Sequence, residues 1–230
     1  MKHTAIVLAA GSGRRMGSEC PKQYIEIDGK PILYYCLKAL EDSFFDEIIV
    51  VTRESDLEYV SEEIVGKFSF AKVKSVVAGG KERYDSVYNG LLAVTERDTY
   101  VYLQDGARPF VSKEILERAK ETVIQSDACV VCVPVKDTIK EADEAGNVVG
   151  TPRRETLWAA QTPQAFKYDV IKEAYDAMRA DKDASGVTDD ASVVERYGKV
   201  PVKIVMGDYS NIKITTPEDM WIGRRILEER

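Results

Sequence analysis

Six apolar runs rich in β-branched residues recur along the chain, and segments with helical periodicity separate them. The runs cover residues 4–8, 47–52, 73–77, 100–103, 128–135 and 202–206. Several of them lack the polar alternation of a strand that has one face in solvent. They therefore predict strands that are buried on both faces of a mainly parallel sheet.

The segments between these runs predict helices. Residues 31–40 and 112–125 each place their apolar side chains on one stripe, and Pro31 suits the first helical position. The sequences Ser55-Asp-Leu-Glu58 and Thr216-Pro-Glu-Asp219 are typical of capping boxes at helix starts. Alternating strands and helices indicate an α/β fold with right-handed crossovers, in which helices flank the sheet.

The polar segment 138–158 interrupts this alternation. It holds a turn-like sequence at 143–147 between two short apolar runs, which favours a β-hairpin arm that projects from the sheet. A solvated loop is the alternative. A projecting arm would most simply contact a second subunit. The chain has no linker or internal repeat, so we expect a single domain over residues 1–230 with this arm.

Composition and charge narrow the class of protein. The chain has 230 residues, of which 44% are hydrophobic and 31% charged, as expected for a globular protein. No stretch is long and apolar enough for a membrane span, and no signal peptide is recognisable, so a cytoplasmic location is expected. The net charge of −7 argues against a general nucleic-acid binder. His3 is the only histidine, which excludes histidine triads and multi-histidine metal sites.

The cysteine pair Cys129-x-x-Cys132 lies inside a predicted strand. Positions i and i+3 of a strand point to opposite faces, and the chain has no second such pair. Core cysteines are therefore favoured over a zinc or redox site.

The first predicted strand runs into a glycine-rich loop, Leu8-Ala-Ala-Gly-Ser-Gly-Arg-Arg-Met-Gly17, which Pro21-Lys-Gln-Tyr24 follows. Gly11 and Gly13 allow the backbone to approach a ligand closely, and successive N–H groups suit a phosphate. Arg14, Arg15 and Lys22 add positive charge, so the loop favours a polyphosphate. An ordinary tight turn is the alternative. The glycine spacing differs from the dinucleotide fingerprint, and the Walker A lysine is absent.

Two further segments carry candidate chemistry. Asp105 ends a predicted strand at the edge where α/β sheets bind ligands, and its carboxylate suits Mg²⁺ against substrate phosphates. A carboxylate that merely satisfies a turn is the alternative. Gly79-Gly80 leads into a helix, where backbone groups and the Ser86 hydroxyl can meet a nucleobase edge. Residues 162–164 and 211–215 are predicted to be loops, and residues 188–192 are predicted to cap a helix.

Eight motifs occur in order from residue 9 to residue 219: A-A-G-x-G-x-R-M-G, P-K-Q-Y, G-G-x-x-R-x-x-S-V, D-x-A-R-P, V-P-V-x-D-T, R-x-x-L-W-x-A-Q-T-P-Q-x-F, T-D-D-A-S and N-I-K-I-T-x-P-E-D. Together they strongly resemble the 2-C-methyl-D-erythritol 4-phosphate cytidylyltransferase family of the non-mevalonate isoprenoid pathway. The resemblance implies a Rossmann-like sheet of the nucleotide-diphospho-sugar transferase type. It also implies CTP and a polyol phosphate as substrates, Mg²⁺ or another divalent cation as cofactor, and a homodimer.

The resemblance implies a role for individual positions of this chain. On the nucleotide side, the phosphate-stabilising and catalytic cations are Arg15, Lys22 and Lys213, the metal-proximal pair is Asp105 and Arg108, and the cytosine contacts are Ala9, Ala10, Gly80 and Ser86. On the acceptor side, the substrate threonines are Thr138 and Thr162, and the arm residue that reaches the neighbouring subunit's acceptor is Arg154. The chain departs from the family at Gln104-Asp-Gly106, where family members often have His-Asp-Ala.

Simple chemistry agrees with this assignment. A phosphate monoester is largely dianionic at pH 7, because its second pKa is about 6, so the nucleophile needs no general base. Fixed cations and Mg²⁺ address the remaining difficulty, which is to bring two polyanions together.

Three alternative functions remain at this point. A ribitol-5-phosphate cytidylyltransferase shares the same motifs and differs mainly in its acceptor. A nicotinamide-dependent oxidoreductase is disfavoured by the glycine spacing. A non-catalytic nucleotide sensor is expected to have lost the catalytic cations, which are all present here.

Overall fold

A computed structural model of the chain describes residues 1–11, 21–181, 183–184 and 186–229. The strands in this part of the chain are β1 (Lys2–Leu8), β2 (Glu26–Ile27), β3 (Lys30–Pro31), β4 (Glu47–Thr52), β5 (Val73–Ala78), β6 (Thr99–Asp105), β7 (Ala128–Pro134), β8 (Glu141–Ala142), β9 (Val148–Gly150), β10 (Trp158–Lys167) and β11 (Lys203–Met206). The helices are α1 (Ile32–Glu41), α2 (Leu57–Tyr59), α3 (Arg83–Leu92), α4 (Lys113–Ser126), α5 (Tyr168–Ala180), α6 (Asp190–Tyr197) and α7 (Pro217–Glu228). Helix α2 continues as a π-helix over Val60–Gly66.

Seven strands form one sheet in the order β11-β7-β10-β6-β1-β4-β5. All neighbours in it are parallel except β10, which is antiparallel to both β6 and β7. The predicted α/β fold with a mainly parallel sheet is confirmed. In the register of β1 with β6, Leu8 pairs with Asp105, so these two strands end side by side at one edge of the sheet.

Helices cover both faces of the sheet. On one face, apolar side chains of α1 and α4, such as Leu37 and Ile115, pack in a cluster with Val50 of β4 and Tyr102 of β6. On the other face, side chains of α3, α5 and α6 pack against the same strands. Burial of each large apolar side chain stabilises the fold by about 1.5–3 kcal/mol. The continuous apolar runs of the sequence thus reflect strands with no solvent face.

The helix starts agree with the sequence prediction at some positions and not at others. Thr216 and Asp219 form the predicted capping box of α7, and Asp189 caps α6, as expected for residues 188–192. The capping box predicted at Ser55 is wrong, because its hydroxyl donates to the Asp56 carboxylate at 2.8 Å instead of capping the helix. Pro31 precedes the first residue of α1 rather than occupying it.

Strand β10 contradicts the prediction of a loop at residues 162–164. Its polar side chains are buried because they find partners inside the fold. Gln164 accepts a hydrogen bond from the Ala191 N–H at 2.8 Å and donates one to the Asp189 carboxylate at 2.8 Å. Such partners, 25 and 27 residues away in sequence, satisfy an amide in the core as well as water does.

Strands β8 and β9 pair as a short antiparallel hairpin within the polar segment 138–158. Its turn is closed by the Asp143 carboxylate, which accepts from the Asn147 N–H at 2.8 Å. Val148 and Val149 are 61% and 65% exposed, so the hairpin carries apolar side chains on its surface.

The two cysteines of the Cys129-x-x-Cys132 pair are buried in different apolar clusters. Burial raises the pKa of Cys129 to about 12 and that of Cys132 to about 11. None of the helices in the described ranges combines the length and the apolar character of a membrane span.

Candidate active site

A cleft of about 430 Å³ lies at the edge where β1 and β6 end. Three segments converge on it: the residues after β1, the glycine pair before α3, and the end of β6. Its lining residues are Leu8, Ala9, Ala10, Gly11, Lys22, Gln23, Gly80, Lys81, Glu82, Arg83, Ser86, Asp105, Ala107 and Lys213. Four of these side chains are cationic and two are anionic, so the cleft suits an anionic ligand.

The backbone after β1 is held on both sides. The Ala9 N–H donates to the Val51 carbonyl at 2.7 Å, which continues the pairing with β4. The side chain of Gln23 is buried and donates to the carbonyl of Ala9 and, at 3.1 Å, to that of Gly11. Gln23 therefore fixes the entrance to the glycine-rich loop. Sequence reasoning assigned it no role, although it belongs to the quoted P-K-Q-Y motif.

The glycine pair before α3 packs tightly against the segment after β1. The Gly79 N–H donates to the main-chain carbonyl of Thr52 at 2.7 Å, and the Gly80 N–H donates to the Ser86 hydroxyl at 3.1 Å. A Cβ atom on Gly79 would lie 2.7 Å from the Ser86 hydroxyl oxygen and 2.8 Å from the Ala10 Cβ. Only glycine allows this close approach, which brings the two loops together across one end of the cleft.

Asp105 lies at the end of β6, and cations surround it. The Lys213 ammonium is 2.8 Å from Oδ2, and Arg108 Nε is 3.6 Å from the same atom. Burial raises the pKa of the Asp105 carboxyl, but the charges of Lys213, Arg83 and Arg108 outweigh that effect and leave the pKa below its usual value. Asp105 is therefore ionised at neutral pH despite its burial.

Arg108 forms an ion pair with this carboxylate but does not line the cleft. It donates to the Asn211 carbonyl at 2.8 Å and to the Ala160 carbonyl at 3.4 Å. Burial lowers the pKa of its guanidinium, and Asp105 opposes that shift. Thr162 lies on the same side, where its hydroxyl accepts from the Asp105 N–H at 3.1 Å.

Arg83, at the first position of α3, forms an ion pair with the fully buried Asp190 that sequence reasoning missed. Its guanidinium donates to both carboxylate oxygens of Asp190 at 2.8 and 2.6 Å, and Asp190 also accepts from the Tyr175 hydroxyl at 2.6 Å. Burial lowers the pKa of Arg83, but the charge of Asp190 outweighs it and raises the pKa. The signal was present in the G-G-x-x-R motif, but the partner lies 107 residues away.

The sequence model of the family described as 2-C-methyl-D-erythritol 4-phosphate cytidylyltransferase matches residues 3–229. The chain belongs to this family. Curated members from Lachnospira eligens and Geotalea uraniireducens are 56% and 49% identical to it, over 98% and 99% of this chain and 99% and 97% of theirs. The 4-diphosphocytidyl-2C-methyl-D-erythritol synthase of Anaerococcus prevotii has a crystal structure that aligns with a TM-score of 0.86 at 34% identity, covering 99% of this chain and 96% of that one.

The cleft gathers most of the residues singled out for this cytidylyltransferase family. The site positions that line it are Ala9, Ala10, Gly11, Lys22, Gly80, Ser86, Asp105 and Lys213. Arg108 and Thr162 contact Asp105 from outside the lining. Arg15 and Gly13 lie outside the described residues.

Two of the positions are not brought to this cleft. Thr138 and Arg154 are exposed on the polar segment 138–158. Arg154 donates to the Lys136 carbonyl at 3.2 Å, just before the start of that segment. The cleft of one chain therefore gathers most of the positions expected on the nucleotide side, while Thr138 and Arg154, which are expected on the acceptor side, are not part of its lining.

Proposed function

We propose that this chain transfers the CMP moiety of CTP to 2-C-methyl-D-erythritol 4-phosphate, giving 4-diphosphocytidyl-2-C-methyl-D-erythritol and pyrophosphate. The observation that carries the proposal is the cleft itself. In a chain of the cytidylyltransferase family, it places Lys22, Asp105 and Lys213 beside two glycine-containing loops.

The two loops bind the nucleoside part of CTP. Ala9, Ala10, Gly11 and Gly80 offer backbone groups at the cleft wall, and Ser86 holds the Gly80 N–H in place. Backbone donors and acceptors that cannot rotate away select a base by the pattern of its edge. Recognition of this kind costs little ordering on binding, because the loops are already packed against each other.

The reaction is a displacement at the α-phosphorus of CTP. A phosphate oxygen of the acceptor forms the new P–O bond, the bond from the α-phosphorus to the bridging oxygen breaks, and pyrophosphate leaves with that oxygen and its electron pair. The acceptor phosphate is largely dianionic at pH 7, so no residue has to remove a proton from it. Lys22, Lys213 and Arg15 supply positive charge where negative charge accumulates.

The cleft fits Mg²⁺ with Asp105 as the protein ligand. Within the described ranges, no group of three or more His, Cys, Asp or Glu side chains could hold a metal. Mg²⁺ often takes one or two carboxylates together with substrate phosphate oxygens, and the ionised Asp105 meets that requirement. When bound, Mg²⁺ would neutralise charge on the α-phosphate and the departing pyrophosphate.

In this proposal, a second subunit completes the site that binds the acceptor. Arg154 is exposed, its side chain donates only to the Lys136 carbonyl among the hydrogen bonds of the described residues, and it does not line its own cleft. Val148 and Val149 present apolar surface on the same arm. A homodimer would bury these valines and bring Arg154, with Thr138, to the partner's cleft, where Thr162 completes the acceptor site.

Pyrophosphate release tests the proposal directly. The purified chain is supplied with CTP and Mg²⁺, and 2-C-methyl-D-erythritol 4-phosphate or ribitol 5-phosphate is offered in parallel. Fast release with the methylerythritol phosphate alone is expected. Release with ribitol 5-phosphate alone would overturn the acceptor assignment and leave the nucleotide side intact. Release with neither acceptor would overturn the function.

A further inference from the structure

The segment after β11 carries a buried asparagine, Asn211, that no catalytic role explains. Asn211 is fully buried, two residues before Lys213 in a segment without regular secondary structure. Burying an amide costs free energy unless it forms hydrogen bonds. A buried amide in an irregular segment beside the cleft is therefore expected to have a structural role.

Asn211 connects its own segment to two other parts of the site, β10 and Arg108. Its Nδ2 donates to the Thr162 carbonyl at 2.9 Å and to Gln161 Oε1 at 3.2 Å, both on β10. The main-chain carbonyl of Asn211 accepts from Arg108 Nη1 at 2.8 Å. Oδ1 has no hydrogen-bond partner among the described residues, so the side chain is anchored by donation alone.

A second anchor lies on the other side of Lys213. The Ile214 N–H donates to the Ala107 carbonyl at 2.8 Å, in the turn that follows Asp105. The Ile214 side chain is fully buried in a cluster with Phe110 and Ile32. The main chain around Lys213 is thus held by Asn211 on one side and by Ile214 on the other. The side chain of Lys213 remains 36% exposed.

We propose that Asn211 is a positioning residue, which places the Lys213 ammonium beside Asp105 by tying the Lys213 segment to β10 through its side-chain amide. The inference rests on the proposed function, since it gives Lys213 and Asp105 their roles. Loss of the Asn211 side chain frees the segment on one side. A cation misplaced by about 1 Å costs catalysis of the order of 10²-fold.

The effect falls on turnover and not on CTP binding. The segments that would hold the nucleoside, around Ala9 and Gly80, have no hydrogen bond to Asn211 among those of the described residues. Asn211→Ala is therefore expected to lower kcat at least 10-fold and to change the KM for CTP less than twofold.

A double-mutant cycle tests whether Asn211 acts through Lys213. Asn211→Ala, Lys213→Ala and the double variant are compared by pyrophosphate release, with thermal unfolding as a check on folding. If the inference is right, Asn211→Ala lowers kcat at least 10-fold alone and less than twofold in the Lys213→Ala background. Equal factors in both backgrounds would overturn it.

Two further variants accompany the cycle, one in case Asn211→Ala unfolds and one as a control. Gln161→Ala removes one acceptor of the same anchor, and we expect a smaller loss of kcat with the same dependence on Lys213. Thr99→Val is the matched control, because Thr99 is also fully buried and donates to a distant carbonyl, that of Lys2, at 2.9 Å at the other end of β6. It is expected to lower the unfolding temperature without lowering kcat.

A readout without turnover separates this inference from the proposed function. Acylation of Lys213 by acetic anhydride, followed by mass spectrometry, measures how well Asp105 shields the ammonium. We expect Asn211→Ala to speed acylation of Lys213 several-fold relative to Thr99→Val. An unchanged rate would overturn the inference even in an active enzyme. A faster rate in a chain inactive towards both acceptors would overturn only the function.

Discussion

Lys213 and Asp105 form an ion pair of 2.8 Å between the ammonium and Oδ2, although each is proposed to contact a different group when the substrate is bound. Asp105 is the proposed ligand of Mg²⁺, and Lys213 the proposed contact of a phosphate. The same Oδ2 cannot hold both cations at full strength. If Mg²⁺ were held by Asp105 together with CTP, the Lys213 ammonium would move from Asp105 to the phosphates.

This exchange predicts opposite effects of Lys213→Met on metal binding and on turnover. Without a competing ammonium, Asp105 is expected to bind Mn²⁺ in the presence of CTP several-fold more tightly, as measured by electron paramagnetic resonance. The kcat is expected to fall about 10²-fold, because a phosphate loses its cation. Lys30→Met is a control, since the Lys30 ammonium lies over the Tyr34 ring, 4.5 Å from its centroid, and does not line the cleft. Weaker Mn²⁺ binding in Lys213→Met would contradict the exchange.

Lys22 is expected to act on the transition state. Lys22→Ala should lower kcat by about 10²–10³ while the protein remains folded, because a cation at the departing phosphates contributes most when negative charge has accumulated there. Single-turnover pyrophosphate release at saturating CTP measures this effect, and Lys30→Ala is again the matched lysine. A loss of less than threefold would remove Lys22 from the catalytic role.

Ser86 is expected to matter for CTP affinity. Its hydroxyl accepts from the Gly80 N–H and donates to the Glu82 carbonyl at 3.2 Å, so Ser86→Ala leaves the Gly80 N–H without that partner. The KM for CTP should rise about 5–10-fold, which corresponds to the roughly 1 kcal/mol of one hydrogen bond. Ser61→Ala is the control, because the Ser61 hydroxyl also donates to the carbonyl four residues earlier, at 2.7 Å, but on a surface helix away from the cleft. Equal effects of the two variants would count against the assignment.

Mixing of subunits tests whether Arg154 acts across a dimer. Arg154→Ala and Lys22→Ala are each expected to be nearly inactive alone. A mixed dimer of the two has one site with both native residues and one site with neither. Statistical mixing of refolded subunits should therefore restore about a quarter of the native activity. If Arg154 acts within its own chain, every site in the mixture lacks one residue and activity stays low.

The stability of the chain should depend on Asp56 in a pH-dependent way. This buried carboxylate pairs with Arg53 at 2.7 Å and accepts from the Tyr24 hydroxyl at 3.1 Å. Burial raises the pKa of Asp56, but the Arg53, Ser55 and Tyr24 hydrogen bonds outweigh it and lower the pKa below its usual value. The stabilisation is therefore present above the unfolded-state pKa of about 3.9 and is lost as the pH falls through the lower folded-state pKa.

Urea unfolding of Asp56→Asn at several pH values checks this sign. At pH 7, the variant should lose about 1–3 kcal/mol of unfolding free energy, as expected for hydrogen bonds to a charged group. The difference should shrink below pH 4. Asp42→Asn is the control, because the Lys38–Asp42 pair is exposed and such pairs contribute little. A difference that persists unchanged at pH 3 would contradict the assignment.

The sequence predicted the sheet and one side of the cleft well, because these depend on local patterns. The runs at 47–52 and 73–77 match β4 and β5 within one residue, and Asp105 ends β6 as expected. Strand β10 was missed because its polar side chains resemble a loop until their partners are known. Motifs identified Lys213, but not that Asn211 anchors it through Gln161, 50 residues earlier.

The cleft's internal support was the least predictable part. Gln23, Arg83 and Asn211 are each buried or paired through residues more than ten positions away. Sequence spacing cannot supply such pairings, because the fold decides which of many polar side chains meet. The residue types that face a ligand are recognisable from a motif, while those that hold the ligand-facing residues in place are not.

The antiparallel strand β10 gives the chain a modular arrangement of its two substrates. Because β10 runs from the arm back into the sheet, the proposed acceptor positions Thr138, Arg154 and Thr162 fall on one uninterrupted stretch between β7 and the middle of β10. The nucleotide positions lie before or after that stretch. A new acceptor specificity can therefore arise by replacing a single contiguous segment of the chain. The same segment is the one to exchange between enzymes that use different polyol phosphates.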